Sequence, residues 1–511
     1  MKNQKTIKKS IKNVLFAKVK PIDITDGEEL EIVINEKDAL LYGITSHDKV
    51  SVVYSGGEIV LNASLTNSVV TQKTVWLMKD VTDKYGIKDG EMVEIFFTKS
   101  SSLAVESIKK KLLGKKLNYK EMYAIIDDIA KNKLSDTMIT YYVSSSYFYK
   151  TTDEELYLTA KAMAETGKTI KFPGIVVDKH CIGGVPGNET TMIVVPIITS
   201  LGYTMPKTFS KAITSPAATG ECVELLMNIS FTENQIKNIV KKHWWGLFWW
   251  WGLALAPADD RIIKVSYPLS MQSYSKMISS IMAKKYAMGV THCLIDIPMG
   301  PTAKVTNKKD ANMLVKKFEF VGKKLGMKMN IQITDARQPV GSWIGTGLQV
   351  REVLRILQQH SNRPKDLELK AIKLASEIIK MTGMAKGKKA EEIAWKQLRS
   401  WTARKKFQEI MKAQWGKNLT IKSEEIELGK EAYELKTNKN WVVKQIDMKI
   451  LNNIARTLGC PFDNKAGVYL NQKLNAKVKK WDTLCTLYSS DSNKLKMALE
   501  MLKTDSIYEV K

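Results

Sequence analysis

Strand-like and helical segments alternate between residue 171 and about residue 360, and this alternation restricts the fold more than any other feature of the sequence. The segments are, in order, Gly174–Asp178, Thr191–Leu201, Gln272–Tyr286, Thr291–Ile297, Asn307–Leu325 and Met329–Ile333. A strand reaches a parallel neighbour only through a crossover, and a helix is the usual crossover. The alternation therefore predicts an α/β domain with a mainly parallel sheet.

The other parts of the chain have different patterns, and 511 residues are too many for one hydrophobic core. Short apolar strands with turn residues between them come first, and helical segments such as Tyr119–Ala130 and Asp153–Glu165 follow. Strand patterns return at Trp441–Ile446 near the end. The predicted domains are an N-terminal β-rich domain (1–98), a helical domain (99–170), the α/β domain (171–425) and a C-terminal α+β domain (426–511).

The chain is strongly basic, with 79 Lys and Arg against 53 Asp and Glu and a net charge of +26. Clustered basic residues are typical of nucleic-acid binders. Here the lysines occur as scattered pairs without a dominant tract, which favours a solvated surface. A nucleic-acid partner is not expected, whereas a small anionic substrate would be attracted.

Cysteine spacing and apolar runs indicate the compartment. The five cysteines lie far apart without a CxxC pair, so neither a disulfide framework nor a zinc site is expected. The basic amino terminus precedes only a short apolar stretch, Val14–Ala17, which is too short for a secretory signal. The run Trp244–Ala258 is shorter than the roughly 20 residues that cross a bilayer. We expect a cytoplasmic protein without a membrane span.

A glycine-rich loop follows the first strand predicted for the α/β domain. The strand is expected to end at Asp178, and a helix to begin near Thr191 after three glycines. Glycines let the backbone approach an anion, and the N–H groups at a helix start point toward it. Lys179 adds a positive charge, and His180 is a candidate acid–base group. The loop matches neither GxGxxG nor a Walker motif, so it predicts a phosphate site rather than a dinucleotide site.

Two further segments carry polar side chains with small neighbours. The loop Pro206–Glu221 is rich in hydroxyls, which are candidate phosphate donors, at Ser210, Thr214, Ser215 and Thr219. Ser280 and Lys284 stand at i and i+4 of a predicted helix and share one face. An exposed helix face is the alternative interpretation of that pair.

Together these segments resemble the thymidine phosphorylase family, which includes a long bacterial branch and the nucleoside-monophosphate (AMP) phosphorylases. The matching motifs occur in the same order between about residues 15 and 500, and they are VVDKHCIGGVPGN, PKT-S-AITSPA, LAPADD, SSIMAKK, IDIPMGPTAKV and RQPVG. The loop KHCIGGVPGN looks more like the bacterial thymidine enzymes. The resemblance implies a homodimeric pentosyltransferase without metal or cofactor, in which inorganic phosphate is a co-substrate that attacks C1′ of a nucleoside.

The resemblance also implies roles for individual residues. Lys179, Thr191 and Thr219 match residues that hold phosphate, and Gly184 lies in the same loop. Phosphate is already a nucleophile, so cationic and hydroxyl donors that position it meet the chemical need.

Other matched positions concern the nucleoside. His180 matches a histidine that handles a proton near the leaving base, which suits an imidazole of unperturbed pKa about 6.5. Ser280 and Lys284 match base-holding residues. Lys304 matches a lysine of the nucleotide site in the AMP-type relatives.

Several positions depart from the family pattern. Gln272 replaces an aspartate that protonates the leaving group, and an amide cannot do so. Tyr267 replaces an arginine, while Phe209 and Lys211 alter the second loop. The tryptophans within Trp244–Trp251 replace small residues, which predicts either an overpacked tight turn or an exposed apolar patch.

Three functional hypotheses follow. The first is phosphorolysis of a pyrimidine nucleoside, with thymidine as the default substrate. The second is phosphorolysis of a nucleoside 5′-monophosphate (AMP, CMP or UMP), which Lys304, the long N-terminal β domain and the positive charge favour. The third is a catalytically silent relative that acts as a binding protein, which the departures at Gln272, Tyr267 and the tryptophans suggest.

Overall fold

The computed structural model describes residues 13–25, 29–212, 215–249, 255–266 and 273–510. Three residues of interest, Thr214, Tyr267 and Gln272, lie outside these ranges, as do Trp250 and Trp251. The chain divides into two compact units, the first made of 1–150 with 257–271 and the second of 151–256 with 272–511. The four domain boundaries expected from the sequence stay a prediction.

Regular structure alternates along the whole described chain. The strands are β1 (Leu15–Ile22), β2 (Glu31–Asn35), β3 (Lys49–Tyr54), β4 (Gly57–Thr66), β5 (Thr74–Met78), β6 (Met92–Phe97), β7 (Val177–Cys181), β8 (Met205–Phe209), β9 (Trp245–Trp249), β10 (His292–Met299), β11 (Lys328–Asp335), β12 (Trp343–Ile344), β13 (Glu431–Lys436), β14 (Trp441–Ile446), β15 (Gly467–Leu470), β16 (Lys477–Val478), β17 (Thr483–Ser489) and β18 (Tyr508–Val510). The helices are α1 (Glu36–Leu41), α2 (Lys79–Tyr85), α3 (Ser102–Leu112), α4 (Tyr119–Ala130), α5 (Asp136–Phe148), α6 (Asp153–Glu165), α7 (Thr191–Thr199), α8 (Thr219–Glu224), α9 (Glu233–His243), α10 (Pro257–Ser266), α11 (Tyr274–Ala287), α12 (Lys308–Lys324), α13 (Thr346–Leu357), α14 (Lys365–Met381), α15 (Gly387–Arg399), α16 (Thr402–Ala413), α17 (Met448–Thr457) and α18 (Ser492–Thr504).

The first unit contains a closed barrel of strand order β1-β5-β2-β4-β3-β6. Its interior is filled by fully buried aliphatic side chains such as Val50, Leu61 and Ile95. Alternate residues of each strand point inward, so a period of two in the sequence is enough to predict this face. Helices α3, α4, α5 and α10 pack on one another in the same unit. The predicted β-rich beginning and the helices after it are confirmed.

The second unit is built on a parallel sheet. Strands β11, β10 and β7 pair in parallel, and a parallel bridge from Val176 to Thr204 leads on to the parallel pair β8-β9. Helix α7 is buried along its whole length and packs against α14, α15 and α16, so its residues are nearly all apolar. The predicted α/β class with a mainly parallel sheet is confirmed.

Strand β7 differs from its predicted bounds in a way that matters for the site. The strand does not end at Asp178 but continues to Cys181, because residues 178–181 stay in register with Cys293–Asp296 of β10. Lys179 and His180 therefore belong to the strand rather than to the loop, and they point to opposite faces of the sheet.

The C-terminal part of the second unit is antiparallel, with sheets β12-β15-β17-β13 and β16-β14-β18. Trp343 on β12 is buried against Tyr469, with ring centroids 4.4 Å apart, and the guanidinium of Arg351 lies 5.4 Å from its ring centroid. This large aromatic residue thus has a packing role between strands.

The tryptophan segment forms a strand where a tight turn was expected, so that prediction is wrong for its described part. Trp244 ends α9 in a left-handed conformation (φ 69°) and is 54% exposed. Trp245 begins β9 and is fully buried, and the ring of Phe248 fills the space over Gly246, where a Cβ would lie 1.9 Å from it. The strand accommodates the large side chains because successive residues point to opposite faces of the sheet.

In the described ranges, no helix combines the length and the apolar character needed to cross a membrane.

Candidate active site

A cavity of about 350 Å³ in the second unit collects most of the residues that the sequence singled out. Its walls come from the end of β7, the glycine loop, the β8–α8 loop, the segment after β10 and helix α17. The predicted residues in its lining are Lys179, His180, Gly184, Thr191, Ser210, Ser215, Thr219 and Lys304. Ser280 and Lys284 are not in the lining, and Thr214 lies outside the described residues.

The glycine loop lies directly against Lys304. Gly183 and Gly184 have φ values of 82° and 87°, which favour glycine, and a Cβ on Gly184 would lie 2.6 Å from Cγ of Lys304. Lys304 Nζ donates to the carbonyl of Ile182 at 3.2 Å, and burial lowers its pKa. The loop glycines are therefore required by conformation and by this close approach.

Lys179 is 1% exposed, and its Nζ donates to Oγ1 of Thr190 at 2.6 Å. Thr190 is thus a buried partner of the lysine rather than a lining residue. Lys179 pairs with Leu294 of β10, and this pairing fixes the point at which its side chain leaves the sheet.

Beneath the cavity, Asp178 is fully buried between two lysines. Its Oδ2 lies 2.6 Å from Nζ of Lys285, and its Oδ1 lies 3.4 Å from Nζ of Lys207. Burial lowers the pKa of Lys207 to about 7, with further lowering by Lys285 and Lys179, while Asp178 acts in the opposite direction. Lys207 also lines the cavity, and sequence reasoning gave it no role although it is the lysine of the PKT motif.

His180 is surrounded by positive charge. Its pKa lies well below the ordinary value of 6.5, first because the side chain is buried. The charges of four lysines lower the pKa further, and these lysines are Lys285, Lys207, Lys179 and Lys284. The imidazole is therefore neutral at pH 7, which corrects the expectation of an unperturbed group. Ser280 accepts a hydrogen bond from Lys284 Nζ at 3.0 Å, so the two side chains do share one face of the helix. Lys284 is outside the lining, and its charge contributes to the lowered pKa of His180.

Glu189 is a carboxyl group in the middle of the expected phosphate site. It lines the cavity, is 4% exposed, and accepts from Oγ1 of Thr219 at 3.2 and 3.3 Å. Burial raises its pKa to about 7, although Lys179 and Thr219 act to lower it. Its place between Asn188 and Thr190 in the glycine loop was visible in the sequence, but only burial reveals that it can hold a proton at neutral pH.

The second loop is shaped by one acidic side chain. Glu221 accepts from the backbone N–H of Ala212 at 2.7 Å and of Ala218 at 3.2 Å. This holds Ser215 and Thr219 at the cavity wall. Lys211 pairs with Glu224 at 2.7 Å, and its Nζ lies 4.9 Å from the ring centroid of Trp249.

Two amide oxygens in the lining are acceptors. Oδ1 of Asn188 and Oδ1 of Asn452 are buried, and within the described residues they have no hydrogen-bond partner. Asn452 lies on α17, and nothing in its sequence context pointed to the site. No group of three His, Cys, Asp or Glu side chains able to hold a metal ion occurs in the described part of the chain.

The arrangement can hold a small oxyanion among lysines and hydroxyls beside a neutral imidazole. Comparison with known proteins agrees with that chemistry. Residues 442–509 match the pyrimidine nucleoside phosphorylase C-terminal domain, and residues 105–167 match the helical bundle domain of a glycosyl transferase family.

Full-length relatives extend this match. The chain is 36% identical over 499 residues to an AMP phosphorylase of Methanococcus maripaludis (strain C5), covering 98% of both chains. It is 38% identical over 476 residues to an AMP phosphorylase of Thermofilum pendens, covering 93% of this chain and 91% of that one. Anthranilate phosphoribosyltransferase from Thermus thermophilus shares the fold over 61% of this chain and 99% of its own, with a TM-score of 0.52 and 13% identity. The chain therefore belongs to the nucleoside phosphorylase family of glycosyltransferases that includes the AMP phosphorylases.

Proposed function

We propose that this protein cleaves a nucleoside 5′-monophosphate with inorganic phosphate, releasing the base and leaving a ribose that carries phosphate at C1 and C5. AMP is the leading candidate substrate. The relatives named AMP phosphorylase support this choice over thymidine, although the KHCIGGVPGN loop resembles that of the thymidine branch.

The observation that carries the proposal is that lysines reach one cavity from two different sides. Lys179 approaches from β7, and Lys304 approaches from the segment after β10 across Gly183 and Gly184. A reaction between phosphate and a nucleotide brings two anions together, and a cation for each offsets their repulsion. Thymidine has no 5′-phosphate and would use only one of them.

In this proposal, the attacking phosphate lies against Lys179, Thr191, Ser210, Ser215 and Thr219. These donors aim one phosphate oxygen at C1′, where positive charge develops as the base leaves. Backbone N–H groups at the start of α7 add to the anion site.

The nucleotide would occupy the other side of the cavity. Lys304 holds the 5′-phosphate, and the buried oxygens of Asn188 and Asn452 accept from ribose hydroxyls. His180, neutral at pH 7, donates one hydrogen bond from a ring N–H toward the leaving base. Ser280 and Lys284 are outside the lining, so in this proposal they do not touch the base, and Lys284 acts on His180 through its charge.

The test is release of base from AMP, CMP, UMP, adenosine and thymidine in the presence of phosphate. We expect release from AMP, and loss of about 100-fold or more in kcat when Lys179→Gln removes the ammonium, since one lost transition-state contact typically costs that much. Lys304→Gln should lower kcat/KM for AMP about tenfold or more while changing adenosine turnover little, because only AMP carries the 5′-phosphate.

Other outcomes would overturn this assignment. Release from thymidine but from none of the monophosphates would restore the thymidine hypothesis. Tight nucleotide binding without any release would support a silent relative.

We also propose, from the family resemblance, a cytoplasmic homodimer that uses no cofactor, and light scattering of the purified chain tests the oligomeric state.

A further inference from the structure

Glu189 and Thr219 form a pair whose hydrogen bond competes with anion binding. Thr219 Oγ1 lies 3.2 and 3.3 Å from the two carboxyl oxygens of Glu189, and both residues line the cavity. A threonine hydroxyl has one proton. While that proton is donated to an ionised Glu189, Thr219 cannot donate it to a phosphate oxygen.

The groups around Glu189 set its charge. Lys179 on β7 and Lys207 on β8 face it with positive charge, and Glu221 on α8 faces it with negative charge. The thiol of Cys222, also on α8, has a raised pKa, first because it is buried and then because of the charge of Glu189. Because Glu189 is almost completely buried, its ionised form also lacks solvation by water.

We propose that Glu189 is a proton-dependent phosphate-binding residue, which in its protonated form donates to Oγ1 of Thr219 and so frees the Thr219 proton for the bound phosphate. This inference rests on the proposed function, and it names a residue that controls how the attacking anion is held. When an anion enters a site with ionised Glu189, the carboxylate takes up one proton from solvent, which forms the carboxyl O–H bond. No other covalent bond forms or breaks in this step.

Sulfate is the probe, because its charge is constant between pH 6.0 and 8.5 whereas phosphate titrates in that range. The dissociation constant is measured by calorimetry on the full-length chain. With a pKa of about 7, the protonated fraction of Glu189 falls from about 0.9 to about 0.03, so sulfate affinity should fall about 30-fold.

The variant Glu189→Gln tests whether this carboxyl group, and not another titrating group, causes the pH dependence of sulfate binding. The amide N–H of glutamine donates to Thr219 at every pH, as the protonated carboxyl would. We expect the variant to bind sulfate at pH 8.5 about tenfold or more tightly than the unmodified chain, with most of its pH dependence gone. Lys207, whose pKa is also about 7, accounts for what remains.

A matched control is Glu352→Gln. Glu352 is also a fully buried glutamate, burial raises its pKa to about 8, and it lies outside the cavity lining. This control should keep the original pH dependence of sulfate binding.

A second variant keeps the test decisive if Glu189→Gln does not fold. Lys207→Arg keeps its charge throughout this pH range. We expect about a tenfold or larger pH effect on sulfate affinity to persist in it, from Glu189.

Two results would overturn the inference. One is an unchanged pH dependence in folded Glu189→Gln, and the other is loss of the whole pH effect in Lys207→Arg. Neither depends on turnover, so failure of the nucleotide assay with intact proton-dependent sulfate binding would remove the proposed reaction and leave this site. Normal AMP turnover with pH-independent sulfate binding would support the proposed reaction and overturn the role inferred for Glu189.

Discussion

The ammonium of Lys285 lies 2.6 Å from Oδ2 of Asp178, and both side chains are at most 2% exposed. Lys285 is on α11 and Asp178 is on β7, so this ion pair joins the helix to the strand that carries Lys179 and His180. A buried pair adds little net stability, but removal of one partner leaves the other charge without compensation.

Asp178→Asn should therefore lower the free energy of unfolding by about 3–5 kcal/mol, because Lys285 and Lys207 would both lose their counter-charge. Urea unfolding measures this. Glu500→Gln is the control, since Glu500 pairs with Lys503 while both side chains are 68% exposed, and about 1 kcal/mol or less is expected there. An equally small effect at Asp178 would contradict the burial of this charge.

Gly184→Ala should lower both the stability of the fold and the affinity for the nucleotide. Its φ of 87° strains an L-residue by about 1–2 kcal/mol, and its Cβ would also meet Lys304 Cγ at 2.6 Å. Gly202→Ala is matched, because its φ is 88° and nothing lies within 4 Å of the Cβ position. The KM for AMP should rise in Gly184→Ala alone, because Lys304 holds the nucleotide's 5′-phosphate in the proposed function. Equal KM changes in the two variants would exclude the contact with Lys304 as the cause.

His180 should make the fold less stable in acid. Its folded pKa lies below the unfolded value of about 6.5, so the unfolded chain binds more protons between those two values. Stability from this group is complete above pH 6.5 and declines as the pH falls, with a slope of at most about 1.4 kcal/mol per pH unit. Urea unfolding at pH 7.5, 6.5 and 5.5 should show a smaller decline in His180→Gln. Identical declines in the two proteins would contradict the lowered pKa.

Trp245 should matter more for stability than its exposed neighbour. Trp245→Ala should cost about 3–5 kcal/mol, because it empties a fully buried aromatic site. Trp245→Phe should cost less, since Nε1 of Trp245 is buried and has no hydrogen-bond partner among the described residues.

Trp244→Gly is the control for that series. Trp244 is 54% exposed and has a φ of 69°, so glycine relieves strain and the change should be neutral or stabilising. Chemical denaturation of the three variants gives the order of their free energies of unfolding. A larger loss for Trp244→Gly than for Trp245→Ala would mean that β9 does not bury its first tryptophan.

Local patterns in the sequence determined much of the architecture. The helices Tyr119–Ala130 and Asp153–Glu165 and the strand Trp441–Ile446 have the bounds that their periodicity and end residues predicted. These features depend on neighbours a few positions away, so capping chemistry and alternation are sufficient. The residue types needed for an anion site, lysines and hydroxyls near glycines, were also evident.

Tertiary structure alone decided how those residues act. Pairing with β10 extends β7 to Cys181 and so places Lys179 and His180 on a strand. Lys304 reaches the glycine loop across more than a hundred positions of sequence. The proton affinities of His180 and Glu189 depend first on burial and then on charges, most of which distant elements bring close. The amino-acid order thus specified the elements and the chemical groups, whereas packing specified their charge states and partners, because desolvation is a property of the whole surrounding volume.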